Sequence, residues 1–366
     1  MNTRPRRLQE ALQRARLNAL ALNAGPTLTY LTGLRFHLME RPVVALFTAE
    51  GRQAIVLPRL EAPKVAGRTD IQPFFYDENP ARWHEAFQDA VEALGLQQAR
   101  IGVEPERLRV LELRFLEAAA PRATFPSAAQ AIAALRAIKD AGGIAAIEHA
   151  VHIAQDALAA TLQTFRVGMT EKELAAELVA QLLRHGSEPD LPFQPIVSAG
   201  PNSANPHAVP TDRPIRAGDL LLMDWGATHR GYFSDLTRMF AIGEVDEELA
   251  YIVAIVRQAN VAGREAARPG VCAGEVDAAA RAVIVSAGYG DYFTHRTGHG
   301  LGLDVHERPF IFGGNEDVLQ PGMVFTVEPG IYLPGRGGAR VEDDVVITDE
   351  GARSLSDLPR VLRRLG

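Results

Sequence analysis

The chain has 366 residues, a formal net charge of −7, 47% apolar residues and 23% charged residues. This composition excludes broad disorder, and the acidic balance excludes the basic footprint of a nucleic-acid-binding protein or strong attraction to an anionic membrane. The single cysteine, Cys272, excludes an internal disulfide framework and a thiolate metal cage. No apolar run is long enough to cross a membrane, so we expect a cytoplasmic protein.

The first part of the chain has the pattern of an α/β domain. Helical spacing of apolar residues predicts a helix over 5–19, and a short apolar strand follows at 20–23. The runs 43–48 and 54–57 flank a Glu-Gly turn and predict a β-hairpin, with another helix over 80–95. Helices alternating with strands predict a mixed sheet. This part contains no phosphate loop and no metal-ligand spacing, so we expect no chemistry here.

The composition changes between residues 125 and 142, where an alanine-rich helical run leads into Gly142-Gly143. Two domains suit the length of the chain, and we place their limits at 1–126 and 127–366.

Beyond the boundary the chain first continues as helices and then becomes rich in strands and hairpins. A long helix to about residue 165 is followed by Thr170 and Glu173, a capping box that begins the next helix. Further helices are expected near 246–268 and 274–287. The pattern predicts an α+β domain, an antiparallel sheet with helices packed on one side.

Two aspartates follow apolar runs on either side of a polar turn at 228–231. A hairpin with His229 and Arg230 at its tip would place Asp224 directly opposite Asp235, with Cβ atoms ~5 Å apart. Two carboxylates that face each other in an apolar setting repel unless a proton or a cation lies between them. The alternative is that one of them is a solvated hairpin residue.

A histidine and two glutamates in similar settings follow. His299 lies in Gly298-His299-Gly300, where glycines allow the close backbone approach that suits a ligand loop or a plain tight turn. Glu328 and Glu342 lie in the two arms of another predicted hairpin, although Glu342 could also belong to a charged sheet edge. A lone histidine is usually structural, but the nearby carboxylates favour a ligand.

Taken together, these side chains form a donor set dominated by oxygen with one nitrogen, which favours Mn, Co, Zn or Fe(II) over a soft-ligand site. The five candidate metal ligands are Asp224, Asp235, His299, Glu328 and Glu342. Two such ions about 3.5–4 Å apart would hold a bridging hydroxide and polarise a scissile carbonyl. The sequence therefore predicts metal-assisted hydrolysis.

These motifs resemble those of the pita-bread metallopeptidases, the family of methionine aminopeptidase, aminopeptidase P and Xaa-Pro dipeptidase (prolidase). The resemblance covers residues 136–348 and is carried by aspartates eleven apart, Gly-His-Gly, Val-Glu-Pro-Gly and Arg-Val-Glu-Asp. The N-terminal half resembles, more weakly, the creatinase-like domain of proline-specific members. The resemblance implies an α/β N-terminal creatinase-like domain followed by an α+β pita-bread catalytic domain.

The resemblance also implies roles for individual residues. Glu328 would act as proton shuttle, His306 would hydrogen-bond the scissile carbonyl, and His207 would lie on the substrate side as a third catalytic residue. The implied substrate-binding residues are His207, His295, His306 and Arg340. The loop arginine Arg336 has no family counterpart, and we hypothesise that Arg336 or Arg340 clamps a substrate carboxylate because a guanidinium suits bidentate capture.

The implied function is a dinuclear-metal exopeptidase that hydrolyses the imide bond of N-terminal Xaa-Pro, with Xaa-Pro dipeptides as the favoured substrates. The alternatives are an aminopeptidase P that acts on longer peptides, or a catalytically inactive binding protein on the same fold. Mn is the leading metal, with Co, Zn or Fe as alternatives. The expected partners are a proline-containing di- or oligopeptide substrate and a second copy of the chain in a homodimer, with no nucleic acid or membrane.

Overall fold

The computed structural model describes residues 4–366, and predictions that touch residues 1–3 lie outside the described range. The chain forms two compact units that divide after Arg136. Within residues 4–366, none of the helices combines the length and apolar character that crossing a membrane requires.

The first unit contains six helices and five strands among its described residues. In chain order they are α1 (Arg4–Arg14), β1 (Ala19–Asn23), α2 (Pro26–Thr32), β2 (Val44–Thr48), β3 (Gln53–Pro58), α3 (Ala62–Val65), β4 (Gln72–Tyr76), α4 (Trp83–Leu94), β5 (Ile101–Val103), α5 (Val110–Ala119) and α6 (Ala129–Arg136).

A mixed five-stranded sheet forms the centre of this unit, in the order β4-β3-β2-β1-β5. Strand β1 runs antiparallel to β2 and parallel to β5, and the predicted hairpin is confirmed by the pairing of Val44 with Val56. Every residue of β1 and β2 is buried, so burial of apolar side chains stabilises this sheet. The first helix ends at Arg14 instead of residue 19, because Arg16 adopts a left-handed conformation (φ 54°) that ends the helix before β1.

Helix α6 lies in the first unit, whereas the sequence places the domain boundary before it, after residue 126. Its C-terminal end is held by hydrogen bonds from Arg7 Nη2 to Leu135 O (2.8 Å) and from Arg136 Nη1 to Thr27 Oγ1 (3.1 Å). An alanine-rich composition predicts a helix but does not indicate which core the helix packs on.

The second unit contains four helices and thirteen strands. In chain order they are α7 (Ala141–Thr164), α8 (Glu171–Arg184), β6 (Ile196–Ala199), β7 (Leu220–Trp225), β8 (Thr228–His229), β9 (Tyr232–Phe233), β10 (Leu236–Ile242), α9 (Glu247–Ala266), α10 (Ala273–Ser286), β11 (Gly298–Gly300), β12 (Glu307–Ile311), β13 (Val324–Val327), β14 (Gly330–Leu333), β15 (Gly337–Arg340), β16 (Asp343–Ile347), β17 (Ala352–Ser354) and β18 (Arg363–Leu365).

Two mostly antiparallel sheets organise this unit, in the orders β18-β10-β7-β6 and β12-β11-β13-β16-β17. Helices cover both faces of the first sheet, and the predicted one-sided packing is wrong. Leu221, Met223 and Trp225 of β7 pack with α7 and α8, while Leu220 and Leu222 pack with α9 and α10. A strand that is apolar at successive positions is buried on both faces, which explains the second helical layer.

The hairpin that carries the two aspartates has a different register from the predicted one. Its turn is Arg230-Gly231, with φ 53° and 76°, and Thr228 pairs with Phe233. This two-residue turn with two positive φ angles matches the right-handed strand twist. Asp224 therefore lies opposite Thr237 instead of opposite Asp235. The shift is two residues on one arm, so both aspartates still lie on the same face.

Candidate metal centre

Five strands bring the predicted ligands together, and four of these ligands lie at or near a strand end. Asp224 lies near the end of β7, Asp235 directly before β10, His299 in the middle of β11, Glu328 directly after β13 and Glu342 directly before β16. The pairing of Thr326 with Asp344, continued by two residues, places the two glutamates opposite each other on one face.

The cluster is compact. Ligand atoms of Asp235, His299 and Glu342 lie within 4.8 Å of one another. His299 Nε2 lies 3.3 Å from Glu328 Oε1 and 3.6 Å from Asp235 Oδ2. Thr237 Oγ1 donates to Glu342 Oε2 (2.6 Å) and fixes that carboxylate.

Burial and mutual repulsion raise the carboxylate pKa values. Burial, followed by the charges of Glu342 and Asp224, raises the pKa of Asp235 well above its ordinary value. Burial and the charge of Glu328 do the same to the pKa of Glu342. Burial also raises the pKa of Asp224, and raises the pKa of Glu328 to about 7. Four ionised carboxylates would therefore carry more negative charge than the protein surroundings compensate, so the cluster favours bound protons or a bound cation.

The surroundings of His299 favour its neutral imidazole, the form that binds metal. Burial, followed by the charge of His306, lowers the pKa of His299 well below its ordinary value. Nδ1 of His299 lies 3.2 Å from Gly300 O, which assigns its proton to that nitrogen and leaves the Nε2 lone pair facing the carboxylates.

The donor set fits a hard divalent cation. Within residues 4–366, the buried Oδ1 atoms of Asp224 and Asp235 have no hydrogen-bond partner. A buried carboxylate oxygen without a partner is costly, and a bound cation would remove that cost. Oxygen ligands with one imidazole suit divalent first-row metals.

One guanidinium already lies against the cluster. Arg340 is almost fully buried, and its Nη2 donates to Asp224 Oδ2 (2.5 Å). Its Nε donates to Thr237 Oγ1 (3.2 Å), and its Nη1 donates to Tyr332 Oη (2.7 Å) and to Pro206 O (3.2 Å). Most of the donor groups of Arg340 are therefore engaged within the protein.

His295, predicted to bind substrate, extends this hydrogen-bond network. His295 Nε2 lies 2.9 Å from Tyr332 Oη, and its Nδ1 lies 2.7 Å from Arg296 O. Burial, followed by the charge of Arg340, lowers the pKa of His295 to about 4. Neutral His295 accepts from the Tyr332 hydroxyl, so a hydrogen-bonded chain runs from His295 through Tyr332 and Arg340 to Asp224.

The remaining predicted site histidines are His306 and His207. Both residues are exposed. The ring centroids of His306 and His299 lie 4.0 Å apart, and the two rings meet edge to face. Burial against its neighbours, followed by the charge of Arg296, lowers the pKa of His306. Arg340 Nη1 donates to Pro206 O (3.2 Å), which brings the segment that carries His207 to the same cluster.

The loop arginine Arg336 points elsewhere. It is half-exposed and pairs with Asp246 (3.3 Å) and with Glu248 at the N-terminal end of α9. This guanidinium is engaged by two surface carboxylates.

Four supporting residues escaped the sequence analysis: Thr237, Thr326, Tyr332 and Asp344. Three of them share a sequence signal, because each lies two positions from a predicted ligand along the chain. Thr237 follows Asp235, Thr326 precedes Glu328 and Asp344 follows Glu342. Positions two apart on a strand share a face, so polar residues at this spacing within apolar strands indicate the surroundings of a site. Tyr332 had no such signal.

Comparisons with known proteins identify the family of both parts of the chain. The model of the creatinase/prolidase N-terminal domain matches residues 4–138, and that of metallopeptidase family M24 matches residues 145–349. A probable dipeptidase PepE of Mycobacterium tuberculosis is 39% identical over 95% of this chain and 92% of its own length. An Xaa-Pro dipeptidase of Lactobacillus helveticus is 35% identical over 98% of this chain and 97% of its own length.

A solved structure matches the complete fold. The dipeptidase of Pyrococcus horikoshii superposes with a TM-score of 0.93 at 39% identity, covering 99% of this chain and 100% of its own. The predicted family, the creatinase-like and pita-bread fold class and the assignment as a metallopeptidase are confirmed. The chain belongs to metallopeptidase family M24.

Proposed function

We propose that the protein is an Xaa-Pro dipeptidase that hydrolyses the imide bond between an N-terminal residue and proline. The observation that carries the proposal is the buried cluster of four carboxylates and one neutral imidazole, whose raised carboxylate pKa values call for cations. The names of two relatives, a probable dipeptidase and an Xaa-Pro dipeptidase, support this substrate class.

Asp224, Asp235, His299, Glu328 and Glu342 would hold two divalent metal ions, with Mn as the first candidate and Co, Zn or Fe as alternatives. Such cations supply Lewis-acid polarisation of a carbonyl and lower the pKa of a bound water. The five side chains converge from separate strands.

Glu328 is the proposed proton carrier. Its side chain is 15% exposed, compared with 6% for Asp235 and 4% for His299, so it is the more open to substrate and water. Without metal, burial raises the pKa of Glu328 to about 7. Because Glu328 is also a proposed metal ligand, it would take a proton from water and later release it only by exchanging its coordination during the cycle. In the overall reaction the C–N bond breaks, the carbonyl carbon gains a hydroxyl, and the proline nitrogen receives the proton carried by a Glu328 carboxylate oxygen.

His306 and His207 are the proposed contacts of the scissile carbonyl and its neighbouring residue. Both residues are exposed, and the His306 ring packs edge to face against the His299 ring. A ring N–H of His306 can donate to the carbonyl oxygen as negative charge develops on it. The imide nitrogen of an Xaa-Pro bond has no N–H, so recognition depends on such contacts at the carbonyl and on the proline carboxylate.

Two arginines are candidates for the carboxylate contact. Arg340 remains the prediction from the resemblance, although most of its donors are engaged. Arg296 is half-buried, packs its guanidinium 4.5 Å from the Phe310 ring centroid, and its charge acts on Glu328, His299 and His306. Among residues 4–366, no carboxylate makes an ion pair with Arg296, and we therefore add it as the second candidate.

The test compares three substrates after chelation and re-addition of Mn or Co: Ala-Pro, its amide Ala-Pro-NH₂, and Ala-Pro-Ala. A dipeptidase cleaves Ala-Pro far faster than the other two. Preference for Ala-Pro-Ala would instead indicate an aminopeptidase P, and no turnover despite bound metal would indicate a binding protein.

The arginine that contacts the carboxylate is identified with the same substrates. A charged hydrogen bond contributes about 1.5–3 kcal/mol, so Arg296→Ala should reduce kcat/KM for Ala-Pro by about 10–100-fold. The same variant should leave kcat/KM for Ala-Pro-NH₂ nearly unchanged. Arg308→Ala is the matched control, because Arg308 is exposed and pairs with Asp317. An equal loss on both substrates would remove Arg296 from this role.

A cytoplasmic location and a homodimer remain predictions. Measurement of the molar mass in solution would test the second.

A further inference from the structure

Directly behind the proposed metal ligands, two fully buried polar side chains face each other across the sheet. Thr326 of β13 pairs with Asp344 of β16, and both are 0% exposed. The pleat places them on the same face as Glu328 and Glu342, two residues further along each strand. A threonine and an aspartate at these fully buried positions require hydrogen-bond partners.

Thr326 connects two of the proposed ligands. Its hydroxyl accepts from the backbone N–H of His299 (3.1 Å) and donates to Glu328 Oε1 (3.4 Å). Strand β11 approaches β13 closely at this point, because a Cβ on Gly298 would lie 1.8 Å from Thr326 O. Gly298 therefore allows the contact that ties His299 to Thr326.

Asp344 connects a third ligand from the other sheet. Its Oδ2 accepts from the backbone N–H of Asp235 (3.0 Å), directly before β10 begins. Within the described residues its buried Oδ1 has no hydrogen-bond partner. The backbone of Asp235 is thus anchored by a side chain from β16, where Glu342 also arises.

We propose that Thr326 and Asp344 are positioning residues that together set the spacing of Asp235, His299 and Glu328 for cation binding. This inference rests on the proposed metal centre. One facing pair contacts three ligand-bearing segments from two sheets, and each contact is made through a hydrogen bond to a backbone N–H or to a ligand oxygen. The acceptor geometry of Asp344, and not its charge, performs this role.

The experiment measures metal affinity instead of turnover. Wild type and variants are stripped with chelator and titrated with Mn²⁺ or Co²⁺ by calorimetry. Loss of groups that orient ligands typically weakens metal affinity by about 10–100-fold, which we expect for Asp344→Ala and Thr326→Val. Asp344→Asn and Thr326→Ser keep an acceptor oxygen or a hydroxyl and should restore affinity close to wild type.

Thr348→Val is the matched control, because Thr348 follows β16 and its hydroxyl bonds Gly351 O (2.9 Å), away from the ligands. If Asp344→Ala does not fold, the metal affinity of Thr326→Val provides the test of the proposal. Wild-type affinity in Asp344→Ala or Thr326→Val would overturn the proposal. An equal loss in Asp344→Asn and Asp344→Ala would also overturn it, because charge would then be the cause. Because affinity is measured without substrate, failure to cleave Xaa-Pro would affect only the proposed function.

Discussion

A cluster of buried carboxylates and a single buried carboxylate surrounded by arginines lie on opposite faces of one strand segment and differ in how their charge is compensated. Glu342 faces the proposed metal centre, and the next residue, Asp343, faces the other way. Asp343 accepts from Arg238 (2.8 Å) and Arg360 (2.6 Å). Burial alone would raise the pKa of Asp343, but these two guanidinium groups bring it below its ordinary value. The same burial raises the pKa of Glu342 well above its ordinary value.

The comparison shows that burial by itself does not distinguish a structural carboxylate from a functional one. In the Asp343 cluster the protein supplies its own cations. In the metal centre, within residues 4–366, Arg340 is the one guanidinium hydrogen-bonded to any of the four carboxylates, and it bonds Asp224. The remaining negative charge is the property that predicts bound metal.

The largest expected effect comes from removing a carboxylate of the uncompensated cluster. Asp235→Ala should abolish Xaa-Pro hydrolysis and lower metal content, because Asp235 lies within reach of both His299 and Glu342. Elemental analysis and a dipeptide assay check this. Asp349→Ala, an exposed aspartate, serves as control. Full turnover with wild-type metal content in Asp235→Ala would contradict the two-metal assignment.

Removing the compensated carboxylate should reduce stability instead. Asp343→Ala leaves Arg238 buried without its anion, and breaking a buried ion pair costs about 3–5 kcal/mol. Chemical denaturation of the metal-free protein measures this. The comparison variant is Asp317→Ala, whose exposed pair with Arg308 should contribute no more than about 1 kcal/mol. Equal stabilities of the two variants would remove the distinction between the clusters.

The carboxylates of the metal centre also predict a pH dependence for the chelator-treated protein. The pKa of Glu328 is raised to about 7 in the folded state from an ordinary 4.5, so its contribution to stability is present below pH 4.5 and lost as pH rises through 7. The raised pKa values of Asp235 and Glu342 act in the same direction. The midpoint of thermal unfolding should therefore fall by several degrees between pH 6 and pH 8.

Metal should reverse this trend, because binding requires deprotonated ligands and strengthens as pH rises. Thermal unfolding with and without Mn²⁺ at both pH values provides the check. A metal-free protein that becomes more stable towards pH 8 would show that other groups dominate the titration.

The smallest effect on stability and activity is expected from the exposed ion pairs of Arg336. Arg336→Ala removes surface pairs with Asp246 and Glu248, which should change stability by less than about 1 kcal/mol. Since its guanidinium is engaged by these surface carboxylates, kcat/KM for Xaa-Pro should stay close to wild type. A large loss in kcat/KM would instead support the hypothesis that Arg336 clamps a substrate carboxylate.

Much of the local structure could be predicted because it depends on nearby residues. The capping box of Thr170 and Glu173 is confirmed at the start of α8, and the predicted hairpin of β2 and β3 is present. Ligand candidates were recognisable because acidic residues next to apolar strands are costly without partners. The hairpin register was wrong because one turn residue, Arg230, adopts a positive φ that residue type alone does not indicate.

The sequence by itself determined the chemistry available to this protein: four carboxylates at or near strand ends and a histidine within a short strand, with family spacing that identified the M24 metallopeptidases. Only the tertiary structure decided how their charge is balanced. Arg238 and Arg340 are both arginines in or beside apolar strands, yet one compensates Asp343 and the other contacts Asp224. Which face a charged side chain occupies, and which distant strand supplies its partner, depends on packing between residues more than a hundred positions apart.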